Sequence, residues 1–351
     1  MTIVLDDLGS TSKLYPFTAT RSIVDIRIGI LTIREKWELL TGKSIQLRSE
    51  LNDILDPDAQ LIPANLLPTN LLIQAIKDER FNRDLPGKHI TLDYPWQIFE
   101  FNDAEIRSDY ANLTKGRRSQ KIDDGNTVIN RENIFLEPGA KVQYSILNAS
   151  TGPIYIGKNA ELMEGCMIRG PFAVGECCLV KMGTKIYGAT SAGPYSILGG
   201  EIKNSVLFGY SNKSHDGYLG DSVVGEWCNL GAGTSTSNLK NTAGPLRFSG
   251  IELNNNTPVL RKCGLLMGDY SRAAINTSFN TGSIVGVCCN IFTTGLQEKY
   301  LPDFTWGHST YDLDKAFSDI DNWKQLKGQR INDNEKKILT QLYLKSKIQH
   351  A

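Results

Sequence analysis

Four histidines occur in the chain, His89, His215, His308 and His350, and of these only His215 is set within a run of short repeats. It opens the stretch HDGYLGDSVVGEWCNLGAGTSTSN, His215 to Asn238, where amides, hydroxyls and glycines follow closely. An imidazole titrates near neutrality, so it can accept a proton from a nucleophile at physiological pH. The competing reading is a structural histidine satisfied by its neighbours. No cluster of His, Cys or carboxylate ligands accompanies it in the sequence, which argues against a metal role.

The element that must hold this imidazole has an unusual period. Tyr218, Val224, Leu230 and Thr236 recur every six residues, which fits neither a helix nor a flat strand. Ile156, Leu162, Ile168, Val174, Val180, Ile186, Ala192 and Leu198 keep the same spacing, and after a shift of two the count resumes at Val206, Tyr218, Val224 and Leu230. Met267, Ala273, Phe279, Val285 and Ile291 form a third run. A hexapeptide period is the mark of a β-helix, in which about three hexads make each coil and stacked coils share one aliphatic interior. Between the second and third runs, KNTAGPLRFSGIELNNNTPVLRK breaks the repeat and reads as a loop leaving the coil. Rigid rods with flat outer faces favour assembly around a symmetry axis.

Composition narrows the function classes. Lys and Arg total 38 and so do Asp and Glu, so no global field draws in nucleic acid or a membrane surface. The 32 glycines suit a turn-rich repeat. Seven cysteines without a C-x-x-C read as small core residues in a reducing compartment. MTIVLDDLG lacks a basic region before its apolar run, and no 18 consecutive apolar residues occur, so the expected location is the cytoplasm.

Residues 1–115 do not follow the hexads and read as an α/β domain. Ile3, Val4 and Leu5 look like a first strand, and DIRIGILTIREKWELLTG ends as a helix with Gly42 as C-cap. Leu71, Leu72, Ala75 and Ile76 mark one face of a second helix. Asn102 with Glu105 matches a capping box at the start of NDAEIRSDYANLTKG. Residues 116–132, charged and poor in apolar side chains, read as a linker, residues 133–306 as the β-helix and residues 307–351 as C-terminal helices. In the last of these, Leu313, Ala316, Phe317, Ile320 and Trp323 share a face, and Asn332 with Glu335 opens a second helix.

HDGYLGD followed by NLGAGTSTSN resembles the acetyltransferase half of the bacterial bifunctional N-acetylglucosamine-1-phosphate uridyltransferase/glucosamine-1-phosphate N-acetyltransferase family. LYPFTATRSIVDIR, GILTIREKWE and PDFTWG resemble a variant form of that family, so the similarity spans most of the chain. The resemblance implies a truncated nucleotidyltransferase-like domain on a left-handed parallel β-helix that works as a homotrimer. It implies that His215 deprotonates the amine of glucosamine 1-phosphate for attack on acetyl-CoA. Lys203 would meet the sugar phosphate, with Lys185 or Lys181 where the family has an arginine, a change that loses a bidentate fork. Tyr218 and Asn229 would bind the sugar, and Ala232 and Asn238 the thioester end of the coenzyme. Apart from the resemblance, Tyr218 reads equally as core, the asparagines as turn formers and Lys203 as a solvated corner.

The chain departs from the family at its front end. The glycine-rich nucleotidyltransferase loop is absent, and Gly9 to Arg21 offers one glycine to let backbone approach phosphates. Arg21 and Lys13 are the candidate contacts to UTP, with Mg2+ required only if this domain is active. Two other readings stand beside the acetyltransferase: a nucleotidyltransferase whose β-helix only assembles subunits, and a non-catalytic trimeric scaffold or sugar-nucleotide sensor.

Overall fold

The computed structural model describes residues 3–9, 12–51, 59–78, 90–251 and 257–349; His89 and His350 lie outside these. Between Thr127 and Leu301 short strands pair in parallel with the strand one coil away, as in Ile156 with Val174, Leu162 with Val180 and Ile168 with Ile186. The pairing builds three long sheets, which among the described residues hold nine, ten and six strands, the ten including Thr305–Trp306 and an antiparallel edge strand, Ser309–Thr310. Call them the first, second and third faces of a parallel β-helix. The hexad residues Ile156 through Leu198 all line its interior, joined there by Leu230, Met267, Ala273, Phe279, Val285 and Ile291. Each such Val, Leu, Ile, Phe or Met side chain contributes about 1.5–3 kcal/mol on leaving water, and the two alanines less.

The count slips where two corners are short. From Leu198 to the next interior residue, Ile202, is four positions, and from there to Leu207 five. The inward residue of the coil is therefore Leu207, not Val206, and Leu219, not Tyr218. Tyr218 begins the strand Tyr218–Gly220 half-buried with its neighbour Leu219 inside, which corrects its placement at an inward hexad position. The coil also begins earlier than expected: Thr127–Ile129 pairs with Ile146–Asn148, and Ile122 lies in the interior cluster. Both fall within residues 116–132, where a few apolar residues inside a polar stretch close the open end.

The N-terminal α/β domain rests on the first face. Its parallel sheet places Ile3–Asp6 between Gln46–Leu47 and Gln60–Pro63. Helix α1 (Ile33–Thr41) starts on a capping box from Thr32 and Glu35 and ends at Gly42 in the left-handed region, as the sequence indicates. Helix α2 (Asn70–Lys77) buries Leu72, Ile73 and Ile76, whereas Leu71 is 84% exposed, so the apolar face is shifted from the expected one. Helices α3 (Gln97–Glu100) and α4 (Asn102–Thr114) follow. Asn102 does not cap α4. Its Oδ1 accepts from Gly29 N at 2.7 Å and from Ser191 Oγ at 3.1 Å, and its Nδ2 donates to Ala189 O at 2.8 Å, so it pins the domain to the coil. Behind it, Lys36 is buried against Asp109 at 2.5 Å and Glu105 at 2.9 Å, and the two carboxylates outweigh burial and keep its pKa above the usual lysine value.

Outward residues of the first face, Tyr155, Ala173, Val206, Val223, Leu266 and Ile284, are covered by this domain. Their strands are apolar on both sides, which is why neighbouring residues compete for the inward position in the sequence. The loop after Leu239 leaves the coil as expected and returns at Lys262, packing Phe248 on Trp96 with ring centroids 4.6 Å apart. Helices α5 (Leu313–Gln325) and α6 (Asp333–Gln349) cover part of the second face. The Asn332 and Glu335 capping box is present, with N to Oδ1 at 2.9 Å and N to Oε2 at 2.8 Å. All seven cysteines are free, and six are buried; Cys177 is half-buried. Among the described residues no helix is long and apolar enough to cross a membrane.

Candidate active site

Among the described residues no domain or helix covers the third face, which leaves Ile146, Met167 and Tyr187 exposed. A groove of about 400 Å³ runs over it, lined by Ile146, Asn148, Met167, Arg169, Lys185 and Tyr187. His215 is not among the residues lining it: it lies two strands further along the face, in the corner where the chain turns from Asn212–Lys213 on the second face to Tyr218–Gly220 on the third. It is exposed, and among the described residues its side chain makes no hydrogen bond. The corner one coil below is the short one, Gly199 and Gly200. A Cβ on Gly200 would lie 2.7 Å from His215 O, so the turn that carries the histidine sits directly on bare backbone.

One residue of this corner escaped the sequence reading. Lys213 takes the inward position between Leu198 and Leu230 and is 1% exposed. Its Nζ rises out of the aliphatic interior to donate to His215 O at 2.6 Å and Asp216 O at 3.4 Å. Burial pulls its pKa down to about 8. The signal was the hexad count itself, since Leu207, Lys213 and Leu219 are six apart with a cation in the middle.

Along the third face Lys203 follows Tyr187 in register, with Nζ 6.0 Å from the centre of that ring. Tyr187 donates to Glu201 Oε1 at 2.6 Å, a bond that, with partial burial, lifts its phenol to about 12. Glu201, also missed in the sequence, lies between Lys185 and Tyr218 in register. Asn238 Nδ2 donates to Tyr218 Oη at 3.2 Å and to Asp221 Oδ2 at 2.6 Å, and Asp221 Oδ1 accepts from Asn204 at 2.8 Å. Burial first, then the Asp221 charge, raises the Tyr218 pKa and keeps its proton on. Lys185, Lys203 and Tyr218 thus lie on neighbouring strands of the third face, with Asn238 bonded to Tyr218, and His215 precedes Tyr218 in the corner that leads onto that face.

The remaining candidates lie elsewhere. Asn229 points outward on the second face, where Asn212 donates to its Oδ1 at 3.4 Å. Ala232 is in the corner one coil above His215, where Gly233 N donates to Asp216 O at 3.0 Å. Arg21 is built into the seam between the N-terminal domain and the coil. Its Nη1 meets Glu226 at 3.0 Å, its Nη2 meets Asp269, and Phe208 lies under its guanidinium. Lys13 is exposed in the short helix Ser12–Leu14, away from that seam's ion pairs.

Fold and sequence together define a nucleotidyltransferase-like domain on a parallel β-helix: residues 2–86 match the family model described as sugar nucleotidyl transferase. More particularly, the chain is related to the proteins named bifunctional protein GlmU. It is 28% identical over 272 residues to that of Methanococcus maripaludis, covering 75% of this chain and 59% of the relative. Against the Xylella fastidiosa protein it is 26% identical over 290 residues, covering 76% and 57%. Against that of Methanocaldococcus jannaschii it is 30% identical over 128 residues, 34% and 31%. The chain spans less than two thirds of the length of each of these relatives.

Proposed function

We propose that this protein N-acetylates an amino-sugar 1-phosphate, glucosamine 1-phosphate, with acetyl-CoA as donor, in sugar-nucleotide synthesis in the cytoplasm. What supports the reading is the placement of Lys203 and of the bonded pair Tyr218 and Asn238 on the open face that the corner carrying the exposed His215 leads onto. In this reading Lys203 and Lys185 meet the phosphate, Tyr218 the sugar, and His215 takes the proton that the amine nitrogen must shed. That nitrogen attacks the thioester carbonyl, a C–N bond forms, and the C–S bond breaks to release the thiolate of coenzyme A, which is then protonated. Positioning amine and thioester together supplies much of the acceleration. An exposed imidazole needs a second wall to exclude water. A homotrimer, with acetyl-CoA in the cleft between subunits, would supply it.

Thiol release from acetyl-CoA and glucosamine 1-phosphate tests this. His215→Ala is expected to lower kcat by about 10²–10⁴-fold, and the parental rate in that variant overturns the proposal. A second reading, sugar-1-phosphate nucleotidyl transfer, is favoured by the match over residues 2–86. Among the described residues no cluster of three or more His, Cys, Asp or Glu suits a metal ion, so no step is drawn through Mg2+. Pyrophosphate release from UTP and a sugar 1-phosphate is the assay that decides it.

A further inference from the structure

Arg272 lies in the strand Arg272–Ala273 on the second face, between Asn229 and Asn290 in register, under helix α5. It is 7% exposed, yet Nε and Nη2 are both buried without an acceptor. Its guanidinium carbon sits 5.3 Å from the centre of the Trp323 ring. Arg21, comparably buried, is met by two carboxylates; Arg272 has no ion pair among the described residues. Burial accordingly pulls its pKa below the usual arginine value. A buried cationic donor left unmatched is costly, and such groups ordinarily have a partner.

The partner has room. A cavity of about 140 Å³ opens against the guanidinium, lined also by Asn290, Tyr311, Asp319, Asn322 and Trp323. The one carboxylate there, Asp319, attracts the guanidinium from across the cavity without a hydrogen bond to it, and its Oδ2 accepts from Tyr311 Oη at 2.5 Å and Lys315 Nζ at 3.0 Å. Nε and Nη2 are the two guanidinium nitrogens whose N–H bonds run parallel along one edge, the fork that takes two oxygens of one anion. We propose that this cavity binds a phosphate-sized oxyanion, held side-on by Arg272 with the amides of Asn290 and Asn322 as neutral donors. The volume admits an inorganic phosphate or a small phosphoryl group. The site uses none of the side chains named for acetyl transfer, although Arg272 adjoins Asn229 in register.

Calorimetric titration of the full chain with inorganic phosphate, at fixed ionic strength in chloride, tests it. Expected are one saturable site per chain and a saturable rise in Tm. Arg272→Gln abolishes both, and Asn322→Asp, a change at an exposed position that puts a negative charge on the rim, weakens binding at least about tenfold. Acetate distinguishes a planar carboxylate ligand from a tetrahedral one. No saturable binding by the parent protein, unchanged affinity in Asn322→Asp or Arg272→Gln, or tighter binding of acetate than of phosphate overturns the assignment. Should Arg272→Gln fail to fold, the parent titration and Asn322→Asp decide alone.

Discussion

Lys213 Nζ donates to the carbonyl oxygen of His215 at 2.6 Å from inside the β-helix, so the turn that presents the imidazole outside is tied to a cation within. The lysine stem fills a layer that Leu198 and Leu230 fill in the adjacent coils, and only its head leaves the apolar column.

This burial sets a pH dependence. The folded-state pKa of Lys213 is about 8, against an ordinary value of 10.5. Between those values the unfolded chain holds a proton that the folded chain lacks, so stability rises with pH across that window. Urea unfolding at pH 7.5 and 10.5 is expected to show the rise, with roughly 2–3 kcal/mol of it absent in Lys213→Met. Lys327, also held at about 8 by burial, supplies a part that remains in the variant. An identical rise in both proteins refutes the assignment.

Tyr218→Phe removes the hydroxyl that accepts from Asn238 but leaves that amide its bond to Asp221. The loss of stability is expected to stay near 1 kcal/mol. On the proposed acetyl-transfer reading, which gives Tyr218 a hydrogen bond to the sugar, the same change is expected to raise KM for the sugar phosphate. A large loss of stability with unchanged KM assigns Tyr218 a purely structural role.

Arg21→Ala strands Asp269, 2% exposed, and Glu226 without their cation. Asp269 keeps hydrogen bonds from Thr20 and from Glu226 N, so the fold survives, but a loss of about 3–5 kcal/mol is expected in urea unfolding. A substitution that spares stability and abolishes UTP turnover instead returns Arg21 to the nucleotide.

The sequence by itself determined the coil and most of its interior, because an apolar residue every sixth position has one solution, a stacked helix of short strands. It also determined the local ends that depend on near neighbours, Gly42 and the Asn332–Glu335 pair, and it marked the stretch holding His215, Tyr218 and Asn238. Tertiary structure decided everything that depends on which side of a strand is covered. Asn102 has the spacing of a cap and serves as a bolt to the coil, because Gly29, Ala189 and Ser191 come to it from elsewhere in the chain. Tyr218 yields the interior to Leu219 because a short corner shifts the register. Arg21 meets coil acids more than 200 residues away, and Arg272 is left facing a cavity; neither encounter has a local signature, since both arise only when the N-terminal domain and helix α5 close over the faces of the rod.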